Sequence, residues 1–283
     1  MKEENINIKF INDKKIQEKY LWKYIDLHKF LSFLFTKSLY LTRLDKFEDK
    51  REGTTMYHLI NKMIKRDLDK HSIFNNAREY ATIDSLGSTM NRIEDELKLI
   101  QRFNFANCWV IGGKNIESTA MWNLYSKPNS IAIRIKYSDF KDKFSNETFE
   151  NFGNIDELIC SPVNYLDFQN EKSIFKNKAV DPVLIKDISF EHEKEFRIVL
   201  KEKHRKIPPI NYKEHISRKH IEKVHNSIYD YPGHQIKLRE FESYNFEIIH
   251  HPKSEQWAKD NINEVIKKFE FKFKVSDSNL ELK

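Results

Sequence analysis

Cysteine, glycine and proline are all scarce in this chain of 283 residues, which has two, six and seven of them. Two cysteines, Cys108 and Cys160, exclude a disulfide scaffold and a four-cysteine zinc site, and they fit a reducing cytosol. So few glycines and prolines exclude collagen-like and linker-rich architectures. No GxxxxGK[ST] or GxGxxG phosphate loop occurs, and neither does a GxSxG nucleophile elbow or an HExxH helix. No run approaches the roughly 18 apolar residues of a membrane helix. The most apolar stretch, residues 30–41, is interrupted by Ser32, Thr36, Lys37 and Ser38, and the opening MKEENINIKF is polar, unlike a secretory signal. These absences predict a soluble, cytoplasmic protein with no membrane partner.

What is abundant is charge and aromatic surface. Charged residues make up 33% and aromatics 13%, a pairing foreign to disordered chains. Lys plus Arg number 49 against 43 Asp plus Glu, a net +6 that permits a nucleotide or nucleic-acid partner without demanding one. Patterning predicts a strand at residues 20–25, a helix capped by Asp26 with Leu27, Phe30, Leu31 and Leu34 at helical spacing, and a strand at 38–42. A charged loop follows, Lys46 to Gly53. Helices are predicted over 56–67 and 90–100, a buried strand over 105–111, a short helix over 117–125 and a strand over 131–135. Further strands lie within 158–168 and over 196–200. The end reads as strand (246–249), turn at Pro252, helix with Trp257, Ile262, Val265, Ile266 and Phe269, and strand (271–275). The expectation is a polar segment over residues 1–19 and then a single α+β domain over 20–283, one mixed sheet flanked by helices, with a basic surface segment at 201–223.

Three clusters are candidates for chemistry. In the run Phe190-Glu191-His192-Glu193-Lys194-Glu195-Phe196-Arg197, alternate residues of an extended chain share a face. Glu191, Glu193, Glu195 and Arg197 would then form one row, and crowded carboxylates either raise one carboxyl pKa or accommodate a cation. A solvated strand end with Glu–Arg pairs is the plainer reading. In the second cluster, Glu117 complements the start of a helix, and Trp122 and Tyr125, three apart, share its face. Those rings serve either as core or as a stacking platform. The third is the acidic loop with Asp49 and Glu52. His215, His220 and His225 are five apart, so successive rings on a helix diverge by about 140° and make no metal pair. No metal ligands are assigned. Cys108, inside an apolar strand, reads as a small buried hydrophobe.

These clusters carry a family resemblance. The blocks LWKYIDLHKFLSFLFTKSLYLTRLDKFEDKREG, FANCWVIGGKNIESTAMWNLYSKPNSIAIRI, YLDFQNEKSIFKNKAVDPVLIKDISFEHEKEFRIVL and EIIHHPKSEQWAKDNINEVIKKFEFKFKVSDSNL together resemble the bacterial family catalogued as the domain of unknown function DUF2971. The chain departs from that pattern at Lys50 and Arg51, where a proline-bearing stretch is usual. The family label implies no activity. A second resemblance does: the order of basic strand, hydroxyl-bearing strand and Glu-x-Glu entering a strand is similar to ADP-ribosyltransferases. It implies Glu195 as the catalytic carboxylate with Glu193 beside it, and Lys23 (next to Tyr24 on the first strand) or Arg43 on a pyrophosphate. The implied substrate is NAD, with Trp109, Trp122 or Tyr125 stacking on its ring and Arg197 or Arg43 on phosphate. Three functions follow as expectations: an NAD-using ADP-ribosyltransferase-like effector, of the kind that serves in phage defence or as a toxin; a nuclease with Asp49, Glu52, Glu193 and Glu195 around a divalent metal; or a non-catalytic nucleotide- or nucleic-acid-binding module. All depend on whether the three clusters meet in space.

Overall fold

Period-two alternation sorts strand side chains onto two faces, and the architecture follows from that sorting. The computed structural model describes residues 6–54, 100–147, 155–169, 181–202 and 231–281. Its strands are β1 (Asn7–Phe10), β2 (Tyr20–Ile25), β3 (Ser38–Arg43), β4 (Asn104–Gly112), β5 (Ile131–Lys136), β6 (Ile155–Pro162), β7 (Asn164–Leu166), β8 (Ile185–Asp187), β9 (Glu195–Glu202), β10 (Gly233–Lys237), β11 (Glu247–His250) and β12 (Lys274–Asp277). Its α-helices are α1 (Leu27–Thr36), α2 (Thr119–Tyr125), α3 (Tyr137–Phe144) and α4 (Gln256–Lys268). Ten strands build one mixed sheet in the order β1-β6-β9-β4-β2-β5-β11-β12, with β3 joined to β4 and β10 to β3; β7 and β8 form a separate parallel pair. The chain therefore adopts the expected α+β architecture, one mixed sheet flanked by helices.

The strand–helix–strand opening forms as its residues dictate. Asp26 caps α1 by accepting the Lys29 backbone N–H at 2.9 Å, and Lys37, at φ +50°, ends it. Phe30, Phe33 and Leu34 are the buried stripe, whereas Leu27 stays exposed. β2 and β3 then share one edge of β4. Tyr20 to Trp22 lie opposite Gly112 to Val110, and Thr42 and Arg43 lie opposite Ala106 and Phe105.

One face of the sheet is largely apolar, with Lys23, Asn107 and Glu202 as polar exceptions. Phe196, Ile198 and Leu200 of β9, Phe105 and Trp109 of β4, and Ile131, Ile133 and Ile135 of β5 pack under α1, α3 (Tyr137, Phe140, Phe144) and α4 (Ile262, Ile266). Each fully buried side chain of this kind stabilises by roughly 1.5–3 kcal/mol. The other face carries two smaller clusters: Trp22, Tyr24, Met121, Trp122, Ala132 and Ile249, and Leu44, Ala106, Ile159, Val183, Leu184 and Val199. Glu195 lies opposite Val110 and Arg197 opposite Cys108, so the polar residues of β9 fall on this second face, at the boundary between its clusters.

The structure corrects several expectations. The polar opening is not a segment ahead of the domain: β1 pairs in parallel with β6, and Ile16 and Asp13 are buried. Lys201 and Glu202 belong to β9 rather than to the basic surface segment, whose remainder lies outside the described residues with His215, His220 and His225. The helix predicted over 56–67 also lies outside them, as does most of that over 90–100. The last strand begins only at Lys274; Phe271 before it is buried against the core.

Candidate active site

The charged cluster is assembled by three local devices. The first is the turn after β3. Asp49 accepts the Arg51 backbone N–H at 2.9 Å, its carbonyl accepts the Glu52 N–H at 3.0 Å, and Gln101 Nε2 donates to the Lys50 and Glu52 carbonyls at 2.9 and 3.0 Å. This folds Glu52 inward until it is 1% exposed. Gly53 continues the turn at φ +68°, where a Cβ would stand 2.7 Å from Leu44 Cδ1, so only glycine fits. The second is α2, capped by Ser118 on the Met121 N–H, which buries Trp122 and leaves Tyr125 half exposed at its C-terminus. The third is the approach to β9. A 3₁₀ turn over Ile188–Glu193 ends at Lys194 (φ +43°), and extended chain begins only at Glu195.

That turn breaks the expected row of glutamates. Glu191 is exposed and stands apart, Glu193 enters the cluster from the turn, and only Glu195 and Arg197 share a strand face. Arg197 is fully buried. Its Nε and Nη2 donate to Glu195 Oε1 and Oε2, each at 2.9 Å, and its Nη1 donates to the Val183 carbonyl at 2.7 Å. The same Nη1 lies 2.7 Å from Glu52 Oε1 as an ion pair without hydrogen-bond alignment. Lys186 on β8 is the second cation: its Nζ donates to Glu193 Oε2 at 2.6 Å, lies 3.5 Å from Glu195 Oε2 and 3.8 Å from Glu52 Oε2, and sits 4.6 Å over the Phe190 ring. The Tyr125 hydroxyl donates to Glu193 Oε1 at 2.9 Å. The Glu195 backbone is pinned on both sides, its N–H donating to the Tyr165 hydroxyl at 2.8 Å and its carbonyl accepting from Val163 N at 2.9 Å.

Three carboxylates face two cations, so one negative charge is in excess. Burial works against the Glu195 carboxylate, but Arg197 outweighs it and holds the carboxyl down at about 2. Burial likewise opposes the Lys186 ammonium, and Glu195, Glu52 and the Glu193 hydrogen bond outweigh it and raise it. Burial and the Glu193 charge raise the Tyr125 phenol, so it stays a hydrogen-bond donor. Cys108 faces Glu195, and burial and that charge push its thiol well up; it is a neutral wall of the cluster, not a thiolate.

Of the residues singled out from sequence, Glu52, Tyr125, Glu193, Glu195 and Arg197 meet here. The others do not join them. Glu117 accepts the Trp122 indole N–H at 3.0 Å and the Asn279 backbone N–H at 2.7 Å; Ser118, not Glu117, caps α2. Trp122 is fully buried, edge-on to Tyr24 at 4.8 Å, and the Tyr24 hydroxyl accepts the Ser118 N–H at 3.0 Å. Trp109 lies on the helix-covered face. Lys23 is a clamp: where β2 and β3 part along β4, its Nζ donates to the Cys108 carbonyl at 2.8 Å and to Asn107 Oδ1 at 3.2 Å, and Asn107 Nδ2 donates to the Tyr40 carbonyl at 2.7 Å. Burial lowers its ammonium to about 8. Arg43 binds Asp45 at 2.6 and 3.0 Å and the Tyr231 carbonyl at 3.1 Å. Asp49 serves its own turn. Lys186 and Tyr165 were not anticipated. The signal for Lys186 was a lone lysine in the apolar run Val183-Leu184-Ile185-Lys186, which must find an anion if buried.

Comparison with known proteins finds a match over part of the chain. Residues 121–198 match the family model described as protein of unknown function (DUF2971). The DUF2971 stretch runs from α2 into β9 and so takes in Tyr125, Lys186, Glu193, Glu195 and Arg197, whereas Glu52 lies before it. The resemblance drawn from the sequence blocks is borne out there. No curated protein and no solved structure matches the chain.

Among the described residues no three His, Cys, Asp or Glu side chains group as a metal-holding set. Lys186 and Arg197 already stand between the carboxylates, which leaves this donor set unfit for a divalent ion. Among the described residues, no helix is long and apolar enough to cross a membrane.

Proposed function

We propose that the charged cluster is the active centre of a nucleotide-directed enzyme, with the nicotinamide–ribose bond of NAD its most concrete target. The observation that carries this reading is the convergence of Glu52, Tyr125, Lys186, Glu193, Glu195 and Arg197, from four separate segments, beneath one half-exposed tyrosine. A buried ion network costs desolvation that an apolar filling would avoid, so its stability value alone is a weak reason to keep it. Strongly shifted groups held together in this way are characteristic of active centres.

The chemistry fits a carboxylate that stays ionised. Glu195, held near 2, does not exchange protons at neutral pH and acts electrostatically. The excess negative charge favours a cationic ring and the positive charge that builds on the ribose as that ring leaves. Both Glu195 oxygens are engaged by Arg197, and Glu193 is the carboxylate whose partner, Tyr125, reaches solvent. Glu193 and Tyr125 therefore meet the substrate, and Glu195 sets the field behind them. Tyr125 is the ring available for stacking, since Trp109 and Trp122 are buried.

The test is mass spectrometry of NAD incubated with the purified protein, with and without nucleic acid and cell extract. Nicotinamide release that falls by orders of magnitude in Glu193→Gln and Glu195→Gln, both still folded, is the expected result. Intact NAD with the wild-type protein in every condition overturns the reading; ligand-dependent stabilisation without turnover would then identify a binding module.

A further inference from the structure

A cleft of about 300 Å³ lies on the α2-bearing face of the sheet, between the loop after β4 and the segment that follows β12. Its lining includes Lys114, Arg134, Lys274, Ser276 and Glu117. A cross-strand row runs through it: Trp22 on β2, Arg134 on β5, Glu247 on β11 and Lys274 on β12 stand in register. Arg134 is 6% exposed and rigidly held. Its guanidinium stacks 4.9 Å from the Trp22 ring centre, Nε donates to Glu247 Oε2 at 2.9 Å, Nη2 donates to the same oxygen, and Nη1 donates to the Lys114 carbonyl. A guanidinium has five N–H groups, so two have no partner among the described residues. Lys114 and Lys274 are exposed, and neither ammonium has a partner among the described residues.

The acids of the cleft are already satisfied. Glu117 accepts from Trp122 Nε1 at 3.0 Å, Ser278 Oγ at 2.6 Å and Asn279 N at 2.7 Å, and Asp277 pairs with Lys259 at 2.9 Å. What the cleft offers a ligand is therefore two free ammonium groups, spare guanidinium N–H and the Ser276 hydroxyl. At about 300 Å³ the cleft is larger than a bare phosphate fills.

We propose that this cleft is an anion site for a compact phosphate ester, whose phosphoryl group sits between Lys114 and Lys274 above Arg134. It is independent of the charged cluster. The test is titration calorimetry of the full chain with inorganic phosphate, pyrophosphate and AMP at constant ionic strength, on wild type, Lys114→Ala/Lys274→Ala and Lys141→Ala as a remote control. Saturable binding, one per chain, weakened roughly tenfold or more in the double variant and unchanged in the control, is expected, because the double variant removes both ammonium donors to the phosphoryl group. AMP binding more tightly than phosphate marks an ester whose body fills the cleft; phosphate binding as tightly as AMP overturns the ester and leaves a free-anion site. Binding unchanged in the double variant, or none of the three anions bound by wild type, overturns the site itself. Both lysines are exposed, so loss of folding does not confuse the result.

Discussion

Arg197→Met should separate what the charged cluster does for folding from what it does for chemistry. The guanidinium is fully buried between Glu195, Glu52 and the Val183 carbonyl, and methionine of similar length restores none of those contacts. Against the cost of burial, Arg197 and then Lys186 bring the Glu195 carboxyl from its ordinary 4.5 to about 2, and the net shift corresponds to about 3 kcal/mol of native-state stability at neutral pH. Leaving a buried carboxylate short of a cation costs about 3–5 kcal/mol on general grounds, and the lower end is expected because Lys186 stays 3.5 Å away. For a chain of this size that is a drop of roughly 6–12 °C in Tm. Glu195 is depressed in the folded state, so its contribution is complete above the unfolded value near 4.5 and disappears as pH falls towards 2. The variant should lose that acid slope, and its deficit against wild type should shrink on acidification as the unpaired carboxyl protonates. Urea midpoints followed by circular dichroism at about pH 7 and about pH 3 measure both. A cost below ~1 kcal/mol, or a wild-type acid profile in the variant, refutes the pairing argument. Glu195→Leu/Arg197→Met should regain much of the stability, since an apolar filling avoids desolvation, and should still release no nicotinamide. Recovery of activity together with stability would show that the pair is scaffold alone.

Three other perturbations bear on the same scaffold. Lys23 titrates at about 8 in the folded protein against 10.5 unfolded, so between those values the unfolded chain holds more protons and stability rises with pH; Lys23→Met should abolish that rise in urea midpoints measured at both ends of the window. Glu117→Ala strands the buried Trp122 indole N–H and frees Ser278 and Asn279, so it should cost about 1–3 kcal/mol and, in hydrogen exchange, deprotect the segment after β12 before the core strands. Gly53→Ala forces a Cβ to 2.7 Å from Leu44 Cδ1 at a positive φ, so it should destabilise by about 1 kcal/mol or more and displace Glu52; the readout is nicotinamide release relative to Tm.

The fold was legible where sequence period and chemistry coincide. β2, α1 with its Asp26 cap, β3, β4 and β5 match the residues that alternation and capping select, because each buries a periodic apolar face without outside help. β1 was not legible: Asn7 to Phe10 alternates, but over only four residues, and an edge strand paired in parallel to β6 draws its order from a partner some 150 residues away. α3 carried a readable signal, Tyr137, Phe140 and Phe144 at helical spacing, masked by five charged or hydroxyl residues between them. β10 is short and exposed on one side, held by β3 instead of by its own pattern.

The site was half legible for a related reason. Clustering of charge, helical spacing and the Glu-x-Glu resemblance picked out Glu52, Tyr125, Glu193, Glu195 and Arg197. Which of them share a face depended on one backbone angle. With Lys194 extended, Glu191, Glu193, Glu195 and Arg197 would form a single solvated row. With Lys194 at φ +43°, Glu193 leaves the row and turns to Lys186 and Tyr125, and Glu195 keeps Arg197 as its hydrogen-bonded partner with Lys186 3.5 Å away. That angle is set by the Lys194 N–H on the Glu191 carbonyl and by the Lys194 carbonyl accepting Ile111 N at 2.8 Å, a contact made by β4. The same reasoning removes Lys23 and Arg43 from the cluster: each is claimed first by a neighbour, the parting of β2 from β3 and Asp45 respectively. A charged residue's role thus follows from the nearest unmet polar group, and in this sheet those groups arise where the ladder changes partners.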